Sequence, residues 1–81
     1  MNRNQVNVYL AAIVTTALET EPASFPESYG YLAVGSVMED WVIIKELMIL
    51  GKLATFDGNC IRLTDAGRIV ARKVNQARAS A

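Results

Sequence analysis

Apolar and polar positions along this chain fall into helical runs separated by Pro, Gly and one short alternating stretch. From Asn4 to about Glu19, Val6, Leu10, Ile13, Val14, Ala17 and Leu18 share one helical face, with Gln5, Asn7, Thr15, Thr16 and Glu19 largely off it. Asn2 or Asn4 can cap its start. Glu21-Pro22 ends it, because the residue before a proline is pushed out of the α region. Ser24-Phe25-Pro26-Glu27 has capping-box spacing and predicts a short helix near residues 26–34, with Tyr29, Leu32 and Ala33 inward and Gly35 as its stop.

Ser36-Val37-Met38-Glu39 repeats that spacing and opens a helical pattern that runs to Leu50, so residues 24–50 have a helix-turn-helix outline. In the later helix Val37, Trp41, Ile44 and Met48 form one stripe. Ile43, Leu47 and Leu50 flank it on one side, and Met38, Val42 and Ile49 on the other. A helix this apolar calls for burial on more than one side.

Gly51 is the expected C-cap, and two β-prone runs surround Asp57-Gly58-Asn59. A Gly58-Asn59 loop would pair Phe56 with Ile61 and Ala54 with Leu63. An Asp57-Gly58 loop would pair Thr55 with Cys60 and Leu53 with Arg62, and burial of apolar side chains on one face favours the first. Thr64 then caps a last helix with Asp65 in its first turn. Ala66, Ile69, Val70, Val74 and Ala77 are its expected inner face, Arg68 and Arg72 point away, and Ala79-Ser80-Ala81 reads as a disordered end.

The order helix, helix, turn, helix, hairpin, helix is similar to winged-helix domains. Leu47-x-x-x-Gly51-x-Leu53 to Ile61-x-Leu63-Thr64-x-x-Gly67-Arg68 resembles the wing region of MarR and PadR transcription regulators of bacteria and archaea, over about 45 residues in all. The resemblance implies a mainly α winged helix-turn-helix fold with four helices and a two-stranded wing, as a single domain over residues 1–81. It also implies a homodimer in which the helix after the turn enters a major groove and the wing touches the DNA backbone or minor groove. The expected core is Leu10, Ile13, Leu32, Ile44, Leu47, Leu53, Ile61, Leu63 and Val70.

Charge changes this picture. Eight Lys plus Arg balance eight Asp plus Glu, so no global basic field draws nucleic acid. Residues 36–51 are net acidic and residues 64–81 net basic. The helix that would read DNA opens with Glu39 and Asp40 and offers only Lys45 as a cation, while the wing tip Asp57-Gly58-Asn59 is not basic. Ser36, Lys45, Lys52 and Arg62 are the candidates nearest DNA, with Arg68 as a backbone contact. The alternative expectation is a winged helix used for protein contact or oligomerisation, without nucleic acid.

One cysteine and no histidine leave no ligand set with metal spacing and no usual nucleophile-base pair, so no enzyme, metal or cofactor is expected. Lone Cys60 reads as a small buried hydrophobe in a strand. The longest apolar run, from Val8 to Val14, is too short to span a bilayer, and a cytoplasmic protein without membrane contact is expected. At 81 residues the chain buries only about 60 to 65% of its unfolded surface, yet 52% of it is hydrophobic. The surplus points to a homodimer whose expected interface is the first helix, through Val8, Tyr9 and Ala12, with help from Met38 or Trp41 and the last helix.

Overall fold

A computed structural model describes residues 1–80, and Ala81 of the expected disordered end lies outside them. The first helix, α1 (Arg3–Thr20), starts at a full capping box: the Asn2 side chain accepts from the Gln5 amide at 2.8 Å, and the Gln5 side chain accepts from the Asn2 amide at 3.0 Å. Glu21 turns extended before Pro22 and closes it. Ile13, Val14 and Ala17 are the buried part of its face.

The chain then makes a short strand that hydrophobic periodicity does not predict, β1 (Phe25–Pro26). No capping box forms at Ser24-x-x-Glu27. Pro26 itself takes the N-cap position of α2 (Glu27–Ala33), without a side-chain bond. Phe25 is buried and the Glu27 amide donates to the Asn59 carbonyl at 2.8 Å, so this segment serves a sheet before it serves a helix. The proline is tolerated because β1 is an edge strand.

The inner side of α2 also differs from expectation. Tyr29, Leu32 and Ala33 face outward, Leu32 being 60% exposed, whereas Gly30 and Val34 are buried. A Cβ on Gly30 would lie 2.5 Å from the Trp41 ring, so the glycine is what lets α2 approach. The helix ends with paired bonds from Gly35 to Leu32 and from Ser36 to Tyr31, a Schellman motif in which Gly35 takes the left-handed conformation. Ser36 is left-handed too (φ 61°), and Val37 is the uncapped N-cap of α3 (Met38–Leu50), so the second expected capping box is likewise absent.

Trp41, Ile44 and Met48 are the buried stripe of α3, as their spacing predicts, while Val37 lies outside. Leu47, an expected core residue, is 38% exposed: it sits a quarter turn from Met48, and the core takes the methionine. At the C-terminus Lys52 donates to Ile49 and Leu53 to Met48, a second Schellman motif. Gly51 is the C-cap, as expected, and the left-handed residue is Lys52 (φ 55°), one position further.

Strands β2 (Ala54–Asp57) and β3 (Cys60–Leu63) pair Ala54 with Leu63 and Phe56 with Ile61. This is the register favoured by burial. Gly58 and Asn59 both have positive φ, as a two-residue loop matched to strand twist requires. β1 joins the far side of β3, Phe25 opposite Ile61, giving a three-stranded antiparallel sheet in the order β1-β3-β2 rather than a two-stranded hairpin alone. Cys60 is half-buried rather than buried.

The last helix, α4 (Asp65–Ala79), is capped by Thr64, whose hydroxyl accepts from the Gly67 amide at 3.1 Å and donates to the Lys52 carbonyl. Its inner face is Gly67 and Ala71 with half-buried Val70 and Val74. Ala66, Ile69 and Ala77 are outside, and half-buried Arg68 turns toward α1 instead of away. The core is one cluster drawn from α1, β1, α2, α3, the sheet and α4, with Leu10 and Val70 packed at its edge. Among the described residues no helix is long and apolar enough to cross a membrane.

Candidate functional site

The five residues expected nearest DNA do not converge. Lys45, the cation of α3, donates to Glu27 at 2.6 Å and lies 5.0 Å from the centre of the Phe56 ring. Trp41 donates to the same Glu27 oxygen at 3.4 Å and meets Phe56 edge-on at 6.2 Å. Lys45 therefore ties α2 and α3 to the hairpin, and much of its charge is answered within the chain.

Arg68 is committed in the same way. Its guanidinium grips Glu21 through two nitrogens, at 2.8 to 3.2 Å, and reaches Asp65 at 3.1 Å. Hydrogen bonding from Arg68 holds the Glu21 carboxyl below the usual carboxylate range, against a smaller opposing effect of desolvation, and Glu21 holds the guanidinium above its ordinary value. Arg62 and Arg68 do meet in one cleft of about 320 Å³, which Ser24, Thr55 and Thr64 also line, but Glu21 occupies the same cleft and pairs its deeper cation. Lys52 and Arg62 are exposed and make no ion pair among the described residues. Ser36 is exposed in the left-handed turn before α3.

The expected interface residues also divide. Val8 and Met38 are exposed, whereas Tyr9 and Ala12 are half-buried, Tyr9 against the core. Trp41 is only 4% exposed and belongs to the core, since its ring fills the space that Gly30 leaves open.

What the structure does gather is the outer surface of α3. Glu39, Val42, Ile43 and Glu46 are all exposed at i, i+3, i+4 and i+7, followed by exposed Ile49 and Leu50, the latter 78% accessible. Opposite the buried stripe, then, lie two carboxylates seven residues apart with apolar side chains between and beyond them. An apolar depression between Ile49 and Phe56, about 480 Å³, continues this surface toward the hairpin. A solvent-facing helix side would be polar, and a groove-reading one would be cationic or amide-rich. This one is neither. The sequence signal for it was the even spread of apolar residues around the helix, which a single core cannot cover.

Compared with protein-family models, with curated proteins and with solved structures, the chain gives no match.

Proposed function

We propose that this chain is a winged-helix module that works by protein contact and self-association, with the outer face of α3 as its contact surface. The fold part of the reading is supported by the order helix, strand, helix, helix, strand, strand, helix and by the first strand lying beside the third, the arrangement a winged helix needs. The contact part rests on one observation: α3 exposes Val42, Ile43, Ile49 and Leu50 around Glu39 and Glu46. Apolar surface of this kind favours another protein, and the two carboxylates disfavour a phosphate backbone.

A second reading, a regulator-like homodimer on duplex DNA, draws support from a different set of groups. Lys52, Arg62, Arg72 and Lys73 are exposed and make no ion pair among the described residues. They do not share an element with the acidic face, so the two readings are separable. Sedimentation equilibrium on the free protein, paired with titration of a random-sequence duplex at low salt, tells them apart. The protein-contact reading expects a species above 8.8 kDa whose population rises with concentration, and no salt-dependent duplex binding. A monomer that binds duplex with a steep salt slope would overturn it.

A further inference from the structure

From the pattern of two exposed helix faces, and resting on the self-association reading above, we propose that the partner of α3 is α4 of a second copy of this chain, in a reciprocal two-fold pair. The outer face of α3 places carboxylates at Glu39 and Glu46 with Val42 and Ile43 between them and Ile49 and Leu50 beyond. The outer face of α4 has the converse order. Ile69, Arg72, Lys73 and Gln76 are exposed at i, i+3, i+4 and i+7, so two cations sit at the centre with Ile69 before them and exposed Ala77 after. Ile69 is half exposed on a strongly amphipathic helix.

Both faces run over seven residues, about 10 Å of helix, and carry charges of opposite sign, with Glu46 rather than Glu39 in reach of the cations. With Glu46 set against Arg72 and Lys73, an antiparallel crossing brings Leu50 to Ile69 and Val42 to Ala77. A parallel crossing brings Val42 to Ile69 and Leu50 to Ala77. In either direction apolar contacts flank the ion pair, and the antiparallel one is favoured because the parallel one sets Glu39 against the exposed carboxylate of Asp65. Two α3 faces set against each other would instead oppose Glu39 and Glu46 with their own copies.

In a two-fold pair each copy gives one acidic and one basic face, so the contact is made twice and no face is left open, as the ends of a head-to-tail chain would leave them. The net charges suit this division: the stretch that includes α3 is acidic, the one that includes α4 is basic, and the whole chain is neutral. A stable interface takes about 800 Å² from each partner, roughly a sixth of the 5197 Å² surface of one chain.

Charge reversal in both faces tests the pairing on the full chain, read by sedimentation equilibrium with circular dichroism to confirm folding. Glu39→Lys with Glu46→Lys, and separately Arg72→Glu with Lys73→Glu, are each expected to weaken self-association at least about tenfold. An equimolar mixture of the two is expected to recover the dimer, because both contacts in the mixed pair are again complementary. If either doubly substituted protein fails to fold, the single changes Glu46→Lys and Lys73→Glu form the same test. A wild-type dimer indifferent to these changes, or reversed variants that stay monomeric when mixed, overturns the α3 to α4 pairing while leaving self-association standing. A wild-type protein that is monomeric at every concentration overturns both.

Discussion

A Cβ on Gly67 would fall on the carbonyl oxygen of Leu53, with the carbonyl carbon 3.0 Å away. The same carbonyl accepts from the Thr64 amide at 3.0 Å, and Thr64 in turn caps α4 and binds the Lys52 carbonyl. The Leu-Thr-x-x-Gly-Arg element is thus a clasp: threonine ties the sheet to α4, glycine permits the close approach, and Arg68 reaches back to Glu21 at the end of α1. Gly67→Ala is expected to cost about 3 kcal/mol or more, since backbone rather than a flexible side chain must move. Urea unfolding measures it, and a loss under about 1 kcal/mol would show that α4 can shift freely.

Neighbouring residues on α3 should respond very differently to truncation. Met48→Ala removes a fully buried side chain and is expected to cost about 2 to 5 kcal/mol, a large share of the stability of so small a domain. Leu47→Ala, at a partly exposed position, is expected to cost less than half as much. Thermal or denaturant unfolding of the pair checks the register of the helix, and the reverse order would rotate it.

The Glu21–Arg68 pair gives a pH dependence of known sign. Because the folded state holds the Glu21 carboxyl below its ordinary value, the pair's contribution is present above the usual carboxylate range and is lost as pH falls through the lowered folded value. Arg68→Ala should move the Glu21 titration upward and flatten this part of the acid dependence. Carbon-detected NMR of the Glu21 carboxyl reads it directly, and an unchanged midpoint in the variant would mean that Arg68 is not its partner.

Lys52 takes the left-handed conformation at the end of α3 that glycine adopts without steric cost. Lys52→Gly is therefore expected to be neutral or stabilising, by up to about 1 kcal/mol, even though Gly51 already precedes it. A melting temperature lowered by several degrees would indicate that the lysine side chain does more than cap the helix.

Where side chains alternate or recur with a clear period, sequence sufficed. The β2–β3 register followed from Phe56, Ile61, Ala54 and Leu63 gathering on one face, and the α3 stripe followed from Trp41, Ile44 and Met48. Glycine at a buried contact carries no apolar signal, which is why periodicity points to Leu32 and Ile69 as the inner sides of α2 and α4, whereas Gly30 and Gly67 are the buried positions. Strand β1 is two residues long and has no period at all; its Ser-x-x-Glu flank imitates a helix start, and only pairing with β3 discloses it. The candidate site was half legible. The surplus of apolar residues on α3 was visible, but the partners of Lys45 and Arg68 lie 18 and 47 residues away in the chain, and only the fold brings them together.

Sedimentation equilibrium of Ile43→Ser with Leu50→Ser beside the wild type tests whether the outer face of α3 is a protein-contact surface. Both side chains are exposed and outside the core cluster, so folding should be retained. A contact surface there gives a concentration-dependent dimer for the wild type and a monomer of about 8.8 kDa for the variant at the same concentrations. Equal association of the two proteins would contradict it.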